Sequence, residues 1–344
     1  MQRVTLLAAL AISALLPTAA RAQFDKIYPP QGIPVQGNIT KMSQTEVTLE
    51  TNGVERSFPV NEITRIAFGD DPAELASARD DIRRGQVEQS LTALKGIDRN
   101  TIPRAVVRQD LDYYIAVATA KLAMAGSEDK AGAVRMLMAF RDANPQNFHY
   151  FETTELIGDL AVALGNYDAA ADFYRQLGAA PWPEYKLRSN VLTAQALQSA
   201  GKYAEALTGY QAVIGSPLSN PAAQRQKMLA QVGAAVCMAE TGKADQAVKV
   251  VEDIIQKNDP SDTPLFARAY NALGACYRAG GKTKEARLAY LHTHILFYGD
   301  SEAHAEALLH LTKLAEELNK AQDAVKMRTL LKERYGGSVW EKRL

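Results

Sequence analysis

A mainly α chain, a solenoid of stacked helical hairpins behind a small all-β unit, is predicted by three observations. A Gly-x-x-x-x-Ala turn recurs along most of the 344 residues. Residues 24–69 alternate apolar and polar side chains and are rich in β-branched residues, and no such alternation returns after them. Alanine, the strongest helix former, is abundant. The length suffices for two units with a sizeable core.

The chain opens with MQRVTLLAALAISALLPTAARAQ. Arg3, an apolar run from Val4 to Leu16, Pro17 and the small residues Ala20 and Ala22 have the layout of a secretory signal cleaved after Ala22. The run is shorter than the roughly 20 apolar residues a membrane span needs. The expectation is therefore an exported chain, periplasmic or secreted, with residues 1–22 removed and no membrane insertion afterwards. The 39 basic and 39 acidic side chains balance. That excludes nucleic-acid binding through a general positive field.

Within 23–69, strands are predicted near 35–41, 45–51, 54–60 and 63–68. Asn52-Gly53 separates two of them and is the preferred pair for a type I′ hairpin turn. Val47 and Leu49 share one face, Glu46 and Thr48 the other. Four short strands bury little, so the unit must close into a small barrel or lean on the helices. The layout resembles SH3-like or Sm-like barrels as a strand pattern only. GDDPAEL at 69–75 predicts the first helix of a 70–344 solenoid, with Asp70 or Asp71 as cap and Pro72 at the first position.

The turn motif starts at Gly85, Gly126, Gly165, Gly201, Gly242 and Gly281, with a degenerate copy at Asn319. Successive spacings are 41, 39, 36, 41, 39 and 38 residues. One helical stripe carries Tyr270, Leu273, Gly274 and Tyr277, spaced i, i+3, i+4, i+7. Ala286 and Tyr290 follow beyond the Gly281 turn. Equivalent positions hold Ile157, Gly158, Ala170 and Tyr174, then Ala194, Ala206 and Tyr210, with Pro217 near the end of that unit. The next unit has Ala235 and Ala247, with Val251 where an aromatic is expected. These units resemble tetratricopeptide repeats, whose helix pairs recur about every 34 residues. The resemblance covers about 73–335, in units two to seven residues longer than that period. It implies six to seven hairpins in which small residues let paired helices approach. The more polar last unit, 305–337, suits a capping pair with one wet face.

The resemblance also implies a concave groove lined by the first helix of each hairpin. Carried over position by position, its candidates are Glu152, Glu155 and Asp159; Arg188, Gln195 and Gln198; and Arg268, Asn271 and Arg278. The family's carboxylate-binding clamp of Lys and Asn is not present. The implied partner is a peptide or protein segment, with no cofactor and no nucleic acid.

Against an enzyme, the chain has no Gly-x-Ser-x-Gly, no His-Glu-x-x-His and no P-loop. The rival reading is a metal-dependent binder or enzyme using the His292–His310 region, where His292, His294, His304 and His310 lie among Asp300, Glu302 and Glu306. His292 and His294 sit about 200° apart on a helix and are not expected to share an ion, whereas Glu306 and His310 could. His149 is expected to be a loop or packing residue, and PWPEY at 181–185 a plug between repeats. Cys237 and Cys276 occupy equivalent places five residues before a turn glycine. Adjacent helices are about 8–10 Å apart, too far for a disulfide, which predicts two buried free thiols.

Overall fold

A computed structural model describes residues 24–126 and 129–344. The predicted signal segment 1–22 lies outside the described residues. Five strands come first: β1 (Asp25–Tyr28), β2 (Val35–Met42), β3 (Glu46–Thr51), β4 (Val54–Pro59) and β5 (Arg65–Ala67). Fourteen α-helices follow among the described residues, paired into seven hairpins. They are α1 (Ala73–Arg83) with α2 (Val87–Lys95), α3 (Ala105–Met124) with α4 (Lys130–Ala143), α5 (Tyr150–Ala163) with α6 (Tyr167–Leu177), and α7 (Pro183–Ser199) with α8 (Tyr203–Ile214). Then come α9 (Pro221–Met238) with α10 (Ala244–Lys257), α11 (Thr263–Ala279) with α12 (Thr283–Leu296), and α13 (Ser301–Glu317) with α14 (Ala321–Tyr335).

The antiparallel sheet has the order β4-β3-β2-β1-β5, with a bulge in β2 between Ile39 and Lys41. β1 is a fifth strand that the sequence pattern did not reveal; it pairs with both β2 and β5. At the β3–β4 turn Asn52 and Gly53 both have positive φ (53° and 79°), as a type I′ turn requires. Val47 and Leu49 are buried as expected. Thr48 is also buried, contrary to the alternation, and its hydroxyl lies 2.9 Å from that of Ser57. The sheet leans on the helices. Ile27, Val47, Leu49, Phe58, Ile66 and Phe68 share one core with Leu75, Leu91, Leu111, Tyr113, Phe140 and Phe148.

The solenoid's period has a backbone cause. Gly85, Gly126, Gly165, Gly201, Gly242 and Gly281 all have φ between 71° and 93°, and Asn319 has φ 55°. Glycine adopts this left-handed turn without a Cβ clash, and asparagine tolerates it best among the rest. The chain then caps the preceding helix in Schellman fashion: Asn166 N–H donates to Ala161 O, Lys282 N–H to Tyr277 O and Lys320 N–H to Ala315 O, each at 2.8 Å.

Between helices, glycines make room for tyrosine rings. A Cβ on Gly158 would lie 2.5 Å from the Tyr174 ring, one on Gly233 2.3 Å from Tyr210, and one on Gly274 2.6 Å from Tyr290. All three tyrosines are buried. Gly274→Leu is therefore expected to lower stability by about 1–3 kcal/mol through overpacking. Thermal denaturation checks this, and an unchanged midpoint would remove the packing role. Cys237 and Cys276 are buried free thiols, both pushed up to about 12 by burial.

One expectation is corrected. Neither Asp70 nor Asp71 caps α1: Pro72 is the N-cap residue and no side chain caps the helix. Asp71 instead accepts Phe68 N–H and holds Arg79, while Asp70 pairs with Arg104 at 3.0 Å. The last hairpin has one wet face as expected, carried mostly by α14 and by Lys313, Glu316 and Glu317 of α13. His149 packs in the turn before α5, as expected, and also makes polar contacts. Its ring stacks on Tyr113 with centroids 3.5 Å apart, and its nitrogens lie 3.1 Å from Asp110 and from Glu152. The 181–185 stretch does plug a repeat junction, with Trp182 packed on Tyr185 and Phe151. Glu184 in it also accepts from Asn61 of the β unit at 2.8 Å.

Candidate functional site: the concave groove

The first helices of the second to seventh hairpins, α3, α5, α7, α9, α11 and α13, line a cavity of about 580 Å³. Its apolar floor is Val162, Leu192, Leu229, Val232 and Val236. Five of the nine candidates line it: Asp159, Gln195, Gln198, Arg268 and Asn271. The helix register explains this, because these positions lie off the stripe that packs against the partner helix.

Most of these polar groups are held in place. Tyr174 donates its hydroxyl to Asp159 at 2.7 Å, and Tyr210 donates to Gln198 at 2.8 Å. The rings that fill the glycine notches thus orient groove side chains with their outer ends. Arg268 reaches Asp300 at 3.4 Å and Glu302 at 3.6 Å. Asn271 is buried; its amide nitrogen donates to Ala303 O at 2.8 Å and to Glu306 at 2.9 Å. Its Oδ1 is buried with no partner among the described residues.

The other four candidates do not line the cavity, and three of them, Glu155, Arg188 and Arg278, form ion pairs between neighbouring hairpins. Arg188 pairs with Glu155, joining α7 to α5, and Arg278 pairs with Glu240 at 2.8 Å. Glu152 is solvent-facing and holds His149.

Two acidic residues that sequence reasoning did not place in the groove line it: Glu302 and Glu306 of α13. Glu306 stands thirteen residues before Asn319, as Glu152, Arg188 and Arg268 stand thirteen before Gly165, Gly201 and Gly281. The signal was present but belonged to the hairpin read as a cap. Burial, then the charge of Glu302, pushes Glu306 up to about 7 against the pull of Asn271, Arg268 and Arg343. Burial also raises Asp159, and the facing charge of Glu302 adds to it.

Two of the histidines, His294 and His304, meet. His294 Nδ1 lies 2.8 Å from His304 Nε2, and His304 Nδ1 lies 2.7 Å from the Tyr335 hydroxyl. His310 stacks on Tyr290 while Glu306 accepts from Asn271, so each of the pair considered for an ion has another partner. Among the described residues no group of three or more His, Cys, Asp or Glu is arranged to hold a metal ion.

No family model matches the chain, and no curated protein is similar to it in sequence. Solved structures are similar in fold. A tetratricopeptide repeat protein from Parabacteroides merdae superposes with a TM-score of 0.57 at 14% identity, over 79% of this chain and 96% of that one. NprR in complex with its cognate peptide NprX superposes with a TM-score of 0.53 at 14% identity, over 79% of this chain and 80% of that one. The fold is that of a tetratricopeptide-repeat solenoid preceded by a small antiparallel sheet.

Proposed function

We propose that the chain is a non-enzymatic scaffold whose groove binds an extended peptide or a peptide-like segment of a protein, and that it does so after export, in the cell envelope. The observation that carries the binding reading is the Asn271 amide. Its nitrogen is anchored to Ala303 O and Glu306, which leaves the buried Oδ1 without a donor among the described residues. A buried acceptor without a donor is costly, and a backbone N–H of a bound chain satisfies it. The apolar floor beside it suits alternate side chains of an extended segment. NprR, of similar fold, is known in complex with a peptide, which supports the class of ligand. The envelope location rests on the N-terminal sequence alone.

A photo-crosslinking residue at Gln195, on the cavity wall, is expected to capture discrete partners in the envelope fraction. The same residue at Leu288, exposed on α12 and outside the cavity, serves as the control. Equal capture at both sites, or none at Gln195, would overturn the reading.

A further inference from the structure

The groove already holds part of its own chain. After α14 the backbone turns through Gly336 and Gly337, and Ser338, Val339 and Trp340 line the same cavity as Asp159, Gln195, Arg268 and Asn271. Beyond them, Glu341–Arg343 forms a single 3-10 turn. The far contacts of this segment lie on the second and third hairpins. Lys130 Nζ donates to Gly337 O at 3.2 Å, across 207 residues of sequence. Arg343 donates to the Tyr167 hydroxyl, across 176 residues, and its guanidinium lies 5.0 Å from the Trp340 ring centroid. The segment therefore straps the last hairpin to the second and third across the groove.

Its chemistry matches the site. Trp340 packs against the α13 core that includes Ala305, Leu308 and Leu309. Arg343 brings a positive charge towards a cavity whose acidic groups are Asp159, Glu302 and Glu306, and Lys342 precedes it in the chain. The charge of Arg343 is felt at Glu306, which it draws down.

Its hold is incomplete. Among the described residues the buried indole N–H of Trp340 has no acceptor, in the same cavity where Asn271 Oδ1 lacks a donor. Lys342 also stands close enough to Lys130 for the two charges to repel, which together with burial holds the Lys130 ammonium below its usual value. Unpaired buried polar groups and like-charge contact are what a better-fitting segment would remove.

We propose that Ser338–Leu344 is a displaceable internal occupant of the groove, and that the groove's ligand is a linear peptide of the same kind, an aromatic residue followed within three positions by Lys and Arg. This rests on the peptide-binding reading above. The segment regulates that site by mass action. A tethered copy at an effective concentration of about 1 mM lowers the apparent affinity for a peptide of Kd ~10 µM about 100-fold.

The test uses the full chain and the labelled peptide SVWEKRL, the sequence of residues 338–344. A full-length Trp340→Ala/Arg343→Ala variant, whose fold is checked by circular dichroism, is expected to bind the peptide about 100-fold more tightly than the unaltered chain. The peptide SVAEKRL is expected not to bind. Equal affinity of the two chains, or no binding to the variant, would overturn the proposal. Should the variant fail to fold, a Trp182→Phe chain leaves Trp340 as the sole indole, since the chain has two Trp. Titration with SVFEKRL should then shift its emission to the red and open it to iodide quenching; emission unchanged up to millimolar peptide overturns the proposal. The two readings fail separately. Partners captured at Gln195 without SVWEKRL binding remove only the internal-occupant proposal, and SVWEKRL binding without captured partners removes only the envelope-scaffold reading.

Discussion

Arg79→Ala is expected to destabilise the chain by about 3–5 kcal/mol, the cost of leaving buried charges without their partner. Arg79 is 2% exposed at its side chain, and the two carboxylates it holds, Asp71 and Asp110, are 6% and 3% exposed. Its guanidinium donates to Asp71 at 2.7 Å and to Asp110 at 2.6 and 2.9 Å. One cation therefore serves two anions, on the β5–α1 connection and on α3. Burial alone would raise Asp110; the charge of Arg79 and the bond from His149 outweigh it and hold Asp110 below its usual value. Asp71 lacks the histidine, and burial raises it despite Arg79. The sign follows from linkage. A depressed carboxylate contributes stability that is present at neutral pH and lost as pH falls through its folded-state value, so Asp110 makes this corner acid-labile. Arg79→Lys is expected to recover little, because the three donors of an ammonium share one nitrogen and cannot reproduce the paired bonds the guanidinium makes to each carboxylate. Urea denaturation checks the magnitude. Hydrogen exchange of β5, α1 and α3 checks the place, and loss of protection confined to α11–α14 would count against it.

That corner also shows where a sequence stops being legible. The seven turns could be found because each demands a left-handed residue, which narrows the choice to Gly or Asn. Gly158 and Gly274 could be found because their tyrosine partners sit at fixed spacing across the turn. Both signals are local. Asp70 and Asp71 misled because an Asp before a helix usually caps it. Here their carboxylates are drawn to Arg104 and Arg79, and Arg104 comes from more than thirty residues along the chain. β1 was invisible since four residues, DKIY, are too few to show a period. In the groove, repeat register located Asp159, Gln195, Arg268 and Asn271. The segment 338–344 carried no signal, because its place depends on how seven hairpins curve to bring residues 130 and 167 beside residues 337 and 343.

Glu306→Gln is expected to stabilise the chain at pH 8 by up to about 3 kcal/mol and to leave it unchanged near pH 4, since a tenfold change in proton affinity between the folded and unfolded chain is worth about 1.4 kcal/mol. The cause is the elevation of Glu306 from 4.5 to about 7. A carboxyl whose folded-state value is raised binds more protons folded than unfolded. Its ionisation therefore subtracts stability as pH rises from about 4.5 to about 7, and the full penalty stands above that. Glutamine keeps an oxygen for the Asn271 amide and removes the charge. The groups facing Glu306 are Asn271 and Arg268 on α11, Glu302 on its own helix and Arg343 of the strap. The two cations do not offset burial and Glu302. A stability cost retained at a groove wall is what a binding site for cations produces, because an arriving Lys or Arg supplies the missing counter-charge and releases the proton. Affinity for SVWEKRL in the Trp340→Ala/Arg343→Ala chain should therefore rise between pH 6 and pH 8. Glu306→Gln should flatten that rise while raising the denaturation midpoint at pH 8. A variant that gains stability yet keeps the full pH dependence would separate Glu306 from the binding of positive charge.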